Sequence, residues 1–318
     1  DVVTYLNSTG MTAWMDAGGR GMSNAHYGPY RELADAGQLN IRIYWQTIRQ
    51  PGTPEQVDKV VADIPNLKPF QGTDWFDNVG YGESVYRPIN TQLLSPKFST
   101  RPEDYQQWGR IARALANQGI YVNSHVEMEG AIDRFLDLYE EINAERPIKG
   151  LRWAFSHIDQ VTPAQIERMK RLGMSAQIHT RPLIQGVLMH RVHGERAWSM
   201  PPMRMVQDSG IPWGLGSDAT AVTTSNPFYN LWFAVTGKMI GGHHVNRSTL
   251  TREEALIAHT RNNAYIVFQD GNLGSIQNGR YADLLILDRD YLTVPEDQIR
   301  DIKPVLTMVG GRVVYEAR

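Results

Sequence analysis

The sequence predicts an α/β fold built on a parallel sheet, open or closed, and three observations carry that prediction. Short apolar runs alternate with amphipathic helical stretches along most of the chain. The helical stretches repeatedly end at a glycine followed at once by the next apolar run, the usual helix exit into a strand. Two of the runs, 119–125 and 151–157, each end in a histidine and flank one helical stretch.

This histidine-ended unit organises the rest of the chain. Between the two runs, residues 131–145 place Ile132, Phe135, Leu136, Tyr139 and Ile142 on one helical face. Strand, helix and strand within roughly thirty residues form one βαβ unit, whose strands are parallel neighbours. Their C-terminal ends lie on the same side of the sheet, so His125 and His157 reach one rim. That rim is where α/β barrels carry their active sites.

In chain order the expected strands are 11–16, 39–45, 79–86, 119–125, 151–157, 174–179 and 211–217. Gly10, Gly37, Gly173 and Gly210 stand immediately or nearly so before four of them, and Gly119 opens a fifth. Thr162-Pro163-Ala164-Gln165 reads as a capping box with proline at the first helical position, and Thr53-Pro54-Glu55-Gln56 has the same form. Residues 65–100, rich in Pro, Gly, Asp and aromatics, suggest a long loop over the rim around the third run. Residues 219–250 form a second loop region, and 253–268 read as one helix. The tail changes character: 283–288, 305–309 and 312–315 are antiparallel strands, the last two joined by a hairpin turning at Gly310-Gly311. The organisation expected is a barrel over 1–270 and part of a small β-domain over 271–318.

Composition narrows the chemistry. A chain of 318 residues with formal net charge -2 gives no electrostatic case for nucleic acid or an anionic membrane surface. No apolar run approaches the roughly twenty residues that span a bilayer. With no cysteine, any metal must be held by nitrogen and oxygen. Glu83, His125, His157 and Asp218 sit at or near strand ends, and imidazole with carboxylate suits zinc or a similar divalent ion. Each also has a plainer reading: a hydrogen-bonded structural histidine, a helix-capping Asp218, a solvated Glu83. His179, at the end of the sixth run, is placed to touch substrate, and Arg181 to clamp a carboxylate or lie exposed. His190, His193, His243 and His244 read as solvent-facing or lid residues, and His259 as a packing residue. Trp75, Tyr81, Trp198 and Trp213 are either rim aromatics or core.

Ser-His at 124–125, Ser-His-Ile-Asp at 156–159, Gly-Ser-Asp at 216–218 and the run 274–288 together resemble the amidohydrolase superfamily. The segments 10–19 and 307–315 point to its YtcJ-like branch, amidohydrolase family 3. The resemblance implies a (β/α)8 TIM barrel with one or two divalent ions, most often zinc, part of a β-sandwich at the C-terminus, and hydrolysis of amide or related C–N bonds by metal-activated water. It also implies that His125 is the ligand after strand five and His157 the ligand after strand six. Asp218 is then ligand and proton shuttle after strand eight. Glu83 stands in for the carboxylated lysine that many members carry after strand four; Lys68, followed by Pro69, fits that role less well.

The family's His-x-His pair after strand one has no counterpart in the sequence, because His243-His244 comes far too late. Seven barrel strands are therefore expected, with the first supplied by a missing N-terminal segment or a complementary chain. The partners expected are that segment, a small-molecule substrate and a further copy of the chain in a homo-oligomer, with neither nucleic acid nor membrane. Two rival readings stand beside the hydrolase: a non-catalytic or regulatory relative with an incomplete metal site, and a metal-free enzyme using His125 and Asp218 as an acid–base pair.

Overall fold

Seven short parallel strands follow one another in chain order: β1 (Ala13–Asp16), β2 (Arg42–Thr47), β3 (Phe76–Tyr81), β4 (Asn123–Val126), β5 (Ala154–His157), β6 (Ser175–Ile178) and β7 (Trp213–Leu215). The computed structural model describes residues 2–19, 22–220 and 222–317. Strands β1 to β3 pair in sequence, as do β4 to β7. A parallel bridge between Tyr81 and Val122 joins the two groups, and the Tyr81 N–H donates to the Tyr121 carbonyl at 2.9 Å. The result is a (β/α)8-type barrel wall of seven strands. Among the described residues, no strand pairs with the outer edge of β1 or of β7.

The helices are α1 (Val2–Ser8), α2 (Gly28–Asp35), α3 (Pro54–Asp63), α4 (Pro102–Asn117), α5 (Glu129–Glu145), α6 (Pro163–Arg171), α7 (Pro182–His193), α8 (Met203–Ser209), α9 (Pro227–Thr236), α10 (Arg252–His259) and α11 (Arg261–Ile266). Helices α3, α4, α5, α6 and α8 pack each on the next around the outside of the wall. Between wall and helices lies a core rich in aromatics, including Trp108, Phe135, Tyr139, Trp153 and Phe155, all essentially buried. The glycine exits hold as expected: Gly119 (φ 68) and Gly173 (φ 67) take the left-handed conformation that a side chain would disfavour. Thr162 forms the full capping box. Thr53 caps α3 in half of that pattern, because the Gln56 side chain accepts instead from the Gly52 N–H.

Two expectations need correction. The third strand runs Phe76–Tyr81, so Glu83 lies in the loop just beyond its end and not within it. The helix expected over 253–268 is two helices, because Thr260 (φ -124, ψ -85) leaves the helical region and its hydroxyl bonds back to the Leu256 carbonyl at 2.6 Å. Trp75 and Trp213 take the core reading, at the N-terminal ends of β3 and β7 away from the rim. Of the other aromatics, Tyr81 is fully buried and stacks on Trp108 at 6.4 Å, while Trp198 lies under Arg247 at 4.0 Å.

The tail forms a separate antiparallel sheet in the order β10–β9–β8, with β8 at Leu284–Leu287, β9 at Pro304–Val309 and β10 at Arg312–Glu316. Its hairpin turns at Gly310 (φ 56) and Gly311 (φ 79), two left-handed residues as a tight turn requires. One buried ion pair ties this sheet to the barrel. The Arg42 guanidinium meets Asp283 through Nε at 2.8 Å and Nη2 at 2.9 Å, and donates to the Asp74 carbonyl at 2.9 Å. It is sandwiched between the rings of Trp75 (4.7 Å) and Tyr281 (4.5 Å). Removing one partner strands the other charge, so Arg42→Met is expected to lower unfolding stability by about 3–5 kcal/mol. Urea titration checks this, and the double variant Arg42→Met with Asp283→Leu should recover part of the loss.

Candidate metal centre

The period of two along a strand aims most of the rim. In β4, Asn123 and His125 face the barrel interior, while Ser124 turns out to meet the Tyr139 hydroxyl of α5 at 2.7 Å. In β6, Gln177 faces inward and His179, just past the strand end, continues on that side. His157 breaks the alternation. Phe155 packs outward on Phe135 and Tyr139, and a residue two positions on would follow it. Instead His157 (φ 81) and Ile158 (φ 46) adopt the left-handed region, and the imidazole swings to the centre. Its ring lies 4.5 Å from that of His125 and 4.6 Å from that of His179. Asp218 (φ 57), three residues past β7, takes the same conformation.

Glu83 is fixed by its backbone before its side chain does anything. Its N–H donates to the Ala17 carbonyl at 2.6 Å, and its carbonyl accepts from the His125 N–H at 3.0 Å. The carboxylate points inward, Oε2 lying 3.2 Å from His157 Nε2 and Oε1 3.5 Å from His125 Nδ1. Lys68 is exposed and reaches only the Pro65 carbonyl, at 3.4 Å. Two triads of potential ligand atoms result, Glu83–His125–His157 and His157–His179–Asp218, each with its atoms within 4.8 Å of one another. The expected ligands are thus brought together in two overlapping groups with His157 common to both.

Two buried carboxylates were not anticipated. Glu127 accepts from the Thr91 hydroxyl at 3.1 Å and from Arg181 Nη2 at 3.2 Å, and lies 3.6 Å from His125 Nε2. Asp159 faces His179 Nε2 at 3.0 Å. Each follows a rim histidine by two residues, and that spacing was the available signal. Arg181 therefore has carboxylate partners inside the protein, Asp218 being the second at 3.6 Å. Of the remaining histidines, His190 and His193 are half-buried and face the carbonyls of Val245 (3.0 Å) and Leu93 (2.8 Å), which ties α7 down, whereas His243 and His244 are exposed.

The electrostatics follow from burial and mutual charge. Burial alone would push the Glu83 carboxyl up, but His157 and His125 hold it well below the usual carboxylate range. Burial would likewise depress the His125 imidazole, yet Glu83 and Glu127 raise it to about 10. His179 is raised to about 9, with Asp159 and Asp218 outweighing burial. Asp218 is lowered against the effect of burial, mainly by His179 and His157. The donor set fits a divalent cation. It offers imidazole nitrogen and carboxylate oxygen, and both His157 ring nitrogens and His125 Nε2 are buried without a hydrogen-bond partner.

Comparison with known proteins bears on family and fold. A model described as "Amidohydrolase family" matches residues 1–315. The chain is 29% identical over 214 residues to N-substituted formamide deformylase of Arthrobacter pascens, covering 65% of this chain and 38% of that protein. It is 23% identical to YtcJ of Bacillus subtilis (strain 168), covering 71% of this chain and 44% of the other. The chain thus spans about two fifths of the length of these curated relatives. Among solved structures, an uncharacterized metal-dependent hydrolase from Pyrococcus horikoshii OT3 superposes with a TM-score of 0.68 at 20% identity, covering 93% of this chain and 59% of that one. At that identity the likeness is one of fold.

Because a cation must displace the protons that His125 and His179 hold at neutral pH, zinc binding is expected to release protons and to strengthen as pH rises from 6 toward 9. Calorimetric titration in two buffers of different ionisation enthalpy counts the protons. Uptake of protons, or an affinity indifferent to pH, would contradict it.

Proposed function

The chain belongs to the amidohydrolase family, and from that premise we propose that it forms the catalytic barrel of a metal-dependent hydrolase cleaving the C–N bond of a small amide. The observation that carries the reading is the convergence of the Glu83 carboxylate with His125 and with His157, while both His157 ring nitrogens and His125 Nε2 lack hydrogen-bond partners. These three residues would hold the cation, zinc being the best fit to nitrogen and oxygen donors in tight approach, and Asp218 would complete the site. When bound, a divalent cation there supplies Lewis acidity, polarising a carbonyl and making water acidic.

The chain's own residues supply the rest. Asp218 is the most open member of the cluster, its side chain 29% exposed against 6% for His157 and 2% for His179, so water and substrate meet it first. Its depressed pKa keeps it ionised, ready to accept a proton from attacking water and to return it to the departing nitrogen. Arg181, 3.6 Å away and also bonded to Glu127, orients that carboxylate. The substrate class we favour is an N-substituted formamide or similar neutral amide, on the strength of the Arthrobacter relative. We assign residues 271–318 to a small β-domain buttressing the barrel. We propose also that the open edges of β1 and β7 receive an eighth strand carrying two further histidines, from the same polypeptide or a complementary chain, since an unpaired parallel edge is a liability.

At saturating zinc, Asp218→Asn is expected to lose about 100-fold or more in kcat on N-alkyl formamides, as befits loss of a general acid–base. His125→Ala should lower the amount of zinc bound. Amine release and elemental analysis of the purified protein check both. Undiminished turnover in Asp218→Asn, or after exhaustive chelation, would refute the reading.

A further inference from the structure

We propose that His179, oriented by Asp159, is itself a metal ligand, forming with His157 and Asp218 a second cation position that shares His157 with the first. The inference rests on the metal-centre reading above and assigns to His179 a role in holding the cation in addition to any contact with substrate. The geometry points to it in three ways.

First, His179 is buried and its two nitrogens are differentiated. Nε2 lies 3.0 Å from Asp159 Oδ1, whose side chain is itself fully buried. A carboxylate so placed takes the Nε2 proton as a hydrogen bond and fixes the tautomer. Nδ1 is then the nitrogen that exchanges its proton for a cation, and the ring is turned toward one. Second, Nδ1 faces Asp218 Oδ2 at 3.5 Å. That is long for an N–H···O bond, which is usually 2.7–3.2 Å. It is close to the separation of two ligands on one tetrahedral zinc, roughly 3.3 Å for bonds of about 2.0–2.1 Å. Third, the remaining corner is His157, whose ring lies 4.6 Å from that of His179 and whose nitrogens are buried without hydrogen-bond partners. A cation at that point takes the place of the Nδ1 proton between the Asp218 carboxylate and the unpartnered His157 imidazole.

The Asp159–His179 pair also separates this position from the first triad. Glu83 and His125 have no comparable orienting carboxylate of their own: His125 Nε2 stands 3.6 Å from Glu127, beyond hydrogen-bond reach. Of the rim histidines, His179 therefore has the closest carboxylate partner. It would bind first, with His157 and Asp218, and Glu83 and His125 would complete or extend the centre.

The test loads the purified protein with zinc and with cobalt. It measures zinc affinity by competition with a chromophoric chelator and counts imidazole ligands by X-ray absorption. His179→Ala should weaken zinc at least about 100-fold and remove one imidazole from the shell. Asp159→Asn should weaken it about 10- to 100-fold while keeping the imidazole count, as loss of an orienting carboxylate does. Circular dichroism and the unfolding midpoint of each metal-free variant establish that it is folded, and His179→Gln serves if the alanine variant is not. His125→Ala is the control that separates the two readings. If it abolishes binding while His179 variants keep the parent's affinity and imidazole count, the present proposal fails and the first triad stands. If neither changes zinc binding, or the parent binds none, both fail.

Discussion

Burial of the Glu83 carboxylate is the constraint from which the rest of the rim follows. A carboxylate with its side chain only 15% exposed stays ionised only if nearby charge compensates it, and His125 and His157 do so. Each imidazole then needs its own partner. His125 approaches Glu127, which is satisfied in turn by Thr91 and Arg181. His157 stands against His179, which Asp159 and Asp218 flank. The chain of compensation closes when Arg181 reaches Asp218. Four carboxylates and one guanidinium surround three imidazoles, so the rim lacks positive charge unless protons or a cation provide it. Metal binding and protonation are therefore two fillings of one electrostatic deficit.

Much of this could be read in the sequence, for a simple reason. Parallel strands with glycine-ended helices put every C-terminal strand end on one rim, so His125, His157 and Asp218 could be placed together from run lengths alone. Glu83 could be placed near them, although its strand ends at Tyr81 and not at residue 86, because Gly80 and Gly82 give no side-chain alternation to mark the boundary. What could not be read was the backbone turn at His157. Alternation would send that side chain outward, and only the left-handed conformation at 157 and 158 brings it in. Glu127 and Asp159 were missed because a carboxylate two residues beyond a strand end is usually solvated. Their burial depends on Thr91 and Arg181 in one case and His179 in the other, contacts between segments distant in sequence. Thr260, which divides the expected final helix, carries no proline or glycine to announce the break.

The layer just beneath the rim explains how the ligands hold their spacing. Barrel interiors are commonly filled by branched aliphatic side chains. Here Gln46, Asn123 and Gln177, from β2, β4 and β6, form an amide layer instead. Asn123 Nδ2 donates toward Gln46 at 3.3 Å and Gln177 at 3.4 Å, its oxygen accepts from Ser156 at 2.8 Å, and Gln177 Nε2 donates to the Tyr121 hydroxyl at 2.7 Å. Packed aliphatics tolerate sliding, whereas a buried amide left unpaired costs about 1–3 kcal/mol, so a satisfied layer resists any shift of one strand past another. Asn123 and Gln177 each lie two residues before a rim histidine on the same face, so the bonds that lock them also lock the bases of His125 and His179. A ligand set needs placement to within about 0.5 Å to select a cation. In this barrel, that placement comes from hydrogen bonds one layer down.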